Sequence, residues 1–196
     1  MKKIVPALFV LGFIFVSFKS ITSETYTAII EESTISWAAS RPGKTHDGTL
    51  SISKGNFIFE DDKLVGGDFV IDMNTIKVTD IDPGKMNDKL VNHLRSSDFF
   101  DVENHSTGTY NITGSEAKDG KILVKGQLTL KGITNEVDFL ADVSSDGKWA
   151  TLTASEFKID RTKWDIKFRS GKFFDNLKNK LIYDDIVITV NVKATK

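Results

Sequence analysis

The chain has 196 residues with 26 basic and 27 acidic side chains, long enough for one domain with a sizeable core and without the basic excess that nucleic acid demands. It contains no cysteine, which excludes a disulfide framework, a thiolate nucleophile and a cysteine-held metal. Three prolines and fourteen glycines leave room for many short elements separated by turns.

The first residues read as a leader. Met1-Lys2-Lys3 precedes a run of 15 uncharged, mostly apolar residues from Ile4 to Phe18, closed by Lys19. That run falls short of the roughly 20 residues a membrane-spanning helix needs, and a basic start with a short apolar stretch is the pattern of a secretory signal peptide. The other reading is a retained N-terminal anchor. Small residues at Ser20 to Ser23 place the expected cleavage after Ser23, which makes residues 1–23 the leader and 24–196 the mature domain. Its loss removes Lys2, Lys3 and Lys19 and leaves 23 basic against 27 acidic residues, a net charge of about −4.

From there the sequence alternates with a period of two. Tyr26, Ala28 and Ile30 form one apolar face, and Ile35, Trp37 and Ala39 the next. Leu50 and Ile52 lead to Lys54-Gly55-Asn56, read as a turn, after which Phe57 and Phe59 resume the pattern. A break at Asp61-Asp62 and Gly66-Gly67 precedes Phe69, Ile71 and Met73. Tyr110 and Ile112 run to a turn at Gly114, and Asp119-Gly120 introduces Ile122, Val124, Gly126, Leu128 and Leu130. After Lys131-Gly132 come Val137, Phe139, Ala141 and Val143, then the hairpin signal Asp146-Gly147. Trp149 to Ile159 is a strand whose phase slips near Ala154 to Glu156, the mark of a bulge. Ile186, Ile188, Val190 and Val192 form the last and cleanest strand.

One stretch breaks the pattern. Between Asp88 and Ser96, Leu90, Val91 and Leu94 share one face of a short helix, with Asn87 or Asp88 suited to cap it and Lys89, Asn92 and Arg95 turned to water. His93 is expected on the polar side. Phe99 and Phe100 follow at once, so the segment plugs or roofs whatever the strands enclose.

About eight strands, each with one apolar and one polar face, imply an all-β antiparallel barrel or sandwich. The helical insert near residues 88–96, suited to capping one mouth, and the many large aromatics favour closure into an eight-stranded barrel. A barrel of this size fills with its own side chains or holds one small apolar ligand. Both outcomes remain open on the strands alone.

Catalytic signals are thin. His46, His93 and His105 lie far apart without the spacing of a zinc motif, although folding could bring His46 near either of the others. His46 reads more simply as a hydrogen-bonding partner of a turn. There is no Gly-x-Ser-x-Gly elbow, phosphate loop or dinucleotide fingerprint. Arg161, beside Asp160 and near Trp164 and Asp165, has two readings: a mouth residue meeting a polar head group, or a pin between strands through Asp160, Asp165 or Asp184.

Five stretches in order carry a resemblance. They are Thr45-His46-Asp47-Gly48; Gly66-Gly67-Asp68-Phe69-Val70-Ile71-Asp72-Met73 with Ile76; Lys89-Leu90 and His93-Leu94-Arg95-Ser96 running into Asp98-Phe99-Phe100-Asp101-Val102; Gly126 to Thr134; and Asp160-Arg161-Thr162-Lys163-Trp164 followed by Asp184 to Ile188. Between Thr34 and Val192 the chain resembles the YceI-like family, described as periplasmic polyisoprenoid-binding proteins with a lipocalin-like barrel. It departs from the family at Asn104-His105-Ser106-Thr107, where a proline is usual, and in the long linker from Arg169 to Leu177, whose Phe173 and Phe174 could form part of the mouth.

The resemblance implies an exported, periplasmic, non-catalytic carrier of an isoprenoid-type lipid, such as a polyprenyl lipid or a quinone tail, with no cofactor. It also allows pairing into a homodimer and transient contact with a membrane. The rivals are an enzyme acting on a lipid or quinone head group near His46 or Arg161, and a stress-related or structural barrel filled by its own side chains. A prenyl chain makes no hydrogen bonds, so its site must be apolar. The expected lining, taken from apolar strand faces and the helical plug, is Trp37, Phe57, Phe69, Met73, Leu94, Phe99, Phe100, Leu128, Phe139 and Phe157, with Arg161 at the mouth.

Overall fold

A computed structural model describes residues 22–196. The expected leader lies outside the described residues except for Thr22 and Ser23, and Ser23 already pairs with Glu60 in the first strand. Ten strands and one α-helix follow in order: β1 (Ser23–Ala28), β2 (Thr34–Arg41), β3 (Lys44–Glu60), β4 (Lys63–Val78), α1 (Lys85–Arg95), β5 (Thr107–Lys118), β6 (Lys121–Leu130), β7 (Ile133–Glu136), β8 (Phe139–Ser145), β9 (Trp149–Asp160) and β10 (Asp185–Thr195).

All pairings are antiparallel, and eight strands close on themselves in the order β10-β2-β3-β4-β5-β6-β8-β9, with β9 returning to β10. The remaining two complete staves of the same barrel. β1 continues the stave of β2, between β10 and β3, after a 3-10 turn at Ile30–Glu32. β7 and β8 keep one register against β6, Ile133↔Leu130 and Ala141↔Ile122. At the join, side chains replace backbone partners. Val137 N–H donates to the Gly126 carbonyl, but Gly126 N–H donates to Asp138 Oδ1 and the Val137 carbonyl accepts from the Tyr110 hydroxyl at 2.8 Å.

The alternation of the sequence becomes the inside and outside of this wall. Ile35, Ile52, Phe57, Ile71, Met73, Leu128, Leu152 and Val192 are buried in one core, with polar neighbours outward. The bulge in the penultimate strand falls where the phase slips: Ile188 faces Phe157 and Val190 faces Ala154, so Ser155 and Glu156 together stand opposite the single residue Thr189.

Three glycine-bearing stretches read as turns lie inside long strands instead. Gly55 is in the middle of β3, where a Cβ would clash with the Phe69 ring; Gly66 and Gly67 lie within β4; Gly114 marks a register shift within β5. Gly55 is therefore needed for the close approach of an aromatic ring, and the chain does not reverse there. The actual reversals are tight. Asp61-Asp62, Asp119-Gly120 and Lys131-Gly132 each place two successive residues at positive φ, the geometry that matches strand twist in a two-residue hairpin.

The helix begins at Lys85, three residues before the expected Asp88, with Gly84 at its start and no side-chain cap. Asn87 instead donates from Nδ2 to the carbonyls of Val78 and Ile81, tying the helix to the end of β4. After Ser96 the chain folds back: Phe100 N–H donates to the Leu94 carbonyl and Val102 N–H to that of Arg95. This places Leu94 and Phe99 inward, both buried.

Candidate ligand-binding site

The two ends of the barrel are built differently. At the end carrying the Asp61-Asp62, Asp119-Gly120 and Asp146-Gly147 reversals, Tyr26, Phe59, Leu64, Val124, Ala141 and Ala150 are fully buried and pack as a floor. Tyr26 and Phe59 meet edge to face at 5.4 Å. Above this floor runs a cavity of about 140 Å3. It reaches the opposite end, where α1, the turn that carries Phe99 and Phe100, and a long segment from Asp165 to Asp184 form a roof.

All eleven residues expected from the sequence stand in the wall of this one cavity. β2 brings Trp37, β3 Phe57, β4 Phe69 and Met73, β6 Leu128, β8 Phe139 and β9 Phe157. α1 and its following turn bring Leu94, Phe99 and Phe100, and the turn after β9 brings Arg161. Phe57 packs on Phe69 at 4.9 Å, and Phe139 stacks on Phe157 at 4.4 Å with the rings 13° from parallel. Tyr110, Ile166, Ile182, Ile188 and Val190 also line the cavity. Of these, Tyr110, Ile188 and Val190 lie on recognisable strand faces, whereas Ile166 and Ile182 sit in a segment without any period.

Polar atoms in this wall are almost all spent. Arg161 is 2% exposed; its Nε donates to the Tyr183 carbonyl, Nη1 to that of Ile166 at 2.7 Å, and Nη2 to the Ile182 carbonyl and Asp184 Oδ1. Burial pulls the guanidinium below its ordinary pKa while Asp184 and Asp160 counter it, and the group remains a cation. Of the two readings of Arg161, this geometry is the pin, and what it pins is both roots of the 165–184 segment. Burial, with a smaller contribution from Asp138, pushes the Tyr110 hydroxyl well above its ordinary value, so it stays a neutral donor to Val137. The Trp37 indole N–H is the exception, buried without a hydrogen-bond partner among the described residues.

The roof is an aromatic contact. His93, expected on the polar side of the helix, keeps its imidazole partly exposed, and its ring also meets Phe99 and Phe168 edge-on, each at 4.9 Å, while Phe99 lies 5.4 Å from Phe168. α1 and the 165–184 segment thus touch through these three rings, while His93 Nε2 lies 2.9 Å from Asp98 Oδ2.

The histidines are not brought together. His46 pairs with Asp80 at 2.8 Å, His93 with Asp98, and His105 lies 3.9 Å from Asp101. Burial resists ionisation of Asp80, but the Asp47 amide and the His46 ring outweigh it and hold that carboxyl below its ordinary range. His46 is therefore the partner of a turn, and it is not part of the cavity wall. No group of three His, Asp or Glu side chains suited to a metal occurs among the described residues.

Known proteins resemble this chain in sequence or in fold. A UPF0312 protein of Photorhabdus laumondii subsp. laumondii is 30% identical over 102 residues, a match spanning 52% of this chain and 50% of that protein. The crystal structure of BcnA from Burkholderia cenocepacia superposes with a TM-score of 0.68 at 19% identity, over 86% of this chain and 99% of that one. A polyisoprenoid-binding domain from Saccharophagus degradans, implicated in plant cell wall breakdown, gives 0.62 at 14% identity over 87% and 97%. At such identities the likeness is one of fold. The family model for the YceI-like domain matches residues 26–194, the whole closed barrel with its roof, and the chain belongs to that family.

Proposed function

We propose that this protein is an exported carrier that holds the chain of an isoprenoid-type lipid, a polyprenyl lipid or a quinone tail, in the barrel cavity. The observation that carries this reading is the cavity itself: a space walled almost wholly by apolar side chains above a packed floor. An apolar space suits a hydrocarbon chain, and each five-carbon unit withdrawn from water contributes roughly 3–4 kcal/mol before ordering costs. The polyisoprenoid-binding domain of similar fold supports the same class of cargo. The basic start and apolar run of residues 1–23 support export to the periplasm.

The carrier works by sequestration. Cargo passes under the roof, where His93 of α1 and Phe99 of the following turn meet Phe168 of the 165–184 segment, and the floor sets how far it can advance. The wall offers no acid and base pair, and Arg161 is committed to structure, so we assign no catalytic step.

Native mass spectrometry of the protein, exported with its own leader and purified without detergent, tests this. The expected result is an added mass that organic extraction identifies as a prenyl lipid. A bare mass that stays bare after incubation with prenyl alcohols and quinones would sink the carrier reading and leave a self-filled barrel. The same sample dates the export step, because periplasmic protein should begin at residue 24.

A further inference from the structure

The segment between β9 and β10 concentrates charge that the rest of the chain does not. From residue 163 to 180 it carries Lys163, Lys167, Arg169, Lys172, Lys178 and Lys180 against Asp165 and Asp175, in a chain whose acids otherwise balance or exceed its bases. All six cations are exposed. Lys167 pairs with Asp165, and Lys172 with Asp160 and Asp184, while Lys163, Arg169, Lys178 and Lys180 have no ion-pair partner among the described residues.

Among these cations stand apolar side chains that the fold does not cover. Phe173 is 49% exposed, Phe174 50% and Tyr183 47%. They are held outward by a rooted turn. Ser170 is fully buried, its carbonyl accepts the N–H groups of both Phe173 and Phe174, and its hydroxyl accepts that of Lys172. Arg161 fixes the roots at Ile166 and Ile182, which themselves line the cavity. Lys167 reaches over the Phe173 ring at 5.1 Å.

Exposed aromatic rings in a segment of exposed cations match a lipid interface, where rings enter the acyl boundary and ammonium groups meet phosphates. We propose that this segment docks the barrel, roof first, on an anionic lipid bilayer. Its cationic excess complements acidic headgroups, Phe173 and Phe174 supply the inserting surface, and the docked face is the one whose roots line the cavity. Docking gives the carrier its donor and acceptor and rests on that reading for its purpose, although the two fail separately.

The test is co-sedimentation of the full exported protein with vesicles of phosphatidylcholine alone or mixed equally with phosphatidylglycerol, neither containing a prenyl lipid. Pelleting is expected on the mixed vesicles, weaker on the neutral ones and reduced by added salt. Phe173→Ser with Phe174→Ser should lower the partition coefficient about ten-fold, and Lys178→Glu with Lys180→Glu should lower it by a similar factor. Both variants should keep the wild-type circular dichroism and load dispersed prenyl alcohol as wild type does. Equal pelleting by the variants, equal pelleting on both vesicle types, or none at all would overturn the proposal; none, with a concentration-dependent dimer lost in the Phe variant, would assign the face to a second copy. A protein that docks but never takes up prenyl alcohol would leave docking standing and remove the carrier.

Discussion

The floor and the roof of this barrel are made from the same kinds of residue but held by different means. The floor comes from strand side chains joined by short reversals, so Tyr26, Phe59, Leu64 and Val124 are packed by the register of the sheet. The roof comes from two insertions, α1 with its following turn and the 165–184 segment, which meet through three rings and are rooted by one buried guanidinium. Packing set by many backbone rungs opens only when the fold opens; packing set by a few side chains can open alone. The floor should thus carry global stability and the roof should carry exchange.

The sharpest way to break this contrast is at Phe59, 2% exposed in the floor. Phe59→Ala should cost about 3–5 kcal/mol in urea unfolding while leaving the rate of lipid release from the folded protein unchanged. Faster release at matched stability would show that the floor also gates. Arg161→Met should cost about 3 kcal/mol, because Asp184 and the carbonyls of Ile166, Ile182 and Tyr183 lose their donor. Hydrogen exchange should show that loss concentrated in residues 165–184; uniform deprotection would mean that the roof is no separate unit.

Phe99→Ala should act on rate more than on stability, speeding prenyl release about ten-fold by removing one of the three rings of the roof contact and leaving only His93 against Phe168. An unchanged off-rate would count against the roof as the gate. The smallest effect concerns acid. The Asp80 carboxyl sits below 3.8 in the folded protein, so its contribution is present above that value and is lost as pH falls through the folded pKa. Asp80→Asn should flatten the stability curve below pH 3.8 relative to wild type, and a parallel curve would remove Asp80 from acid sensitivity.

The wall of the cavity was legible because a strand's alternation carries its own answer: Trp37, Phe69, Leu128 and Phe139 lie on apolar faces, and in a closed barrel the apolar face is the inside. Gly55 was misread because local punctuation does not reveal who sits across the sheet. Gly48 under the Trp37 ring and Gly126 under Tyr110 serve the same purpose as Gly55 under Phe69, and each depends on a partner distant in sequence. The helix start was displaced because Asn87 looks like a cap, whereas its amide satisfies carbonyls outside the helix. Ile166, Phe168 and Ile182 were missed for want of any period, and the anchoring of Arg161 rests on backbone carbonyls, which every residue has.

The stave shared by β1 and β2 has one more consequence. Ala28 pairs with Ala194, Thr27 with Thr195, and Glu24 lies 2.7 Å from the Lys196 ammonium, so the described chain begins and finishes side by side on the barrel. The barrel is in that sense a ring cut at an arbitrary stave. A circular permutant joining Lys196 to Thr22 through a short glycine linker, and opened between Asp61 and Asp62, keeps every rung of the closed sheet. It would place both new ends in the floor hairpin, away from the roof, and leave the 165–184 segment untouched.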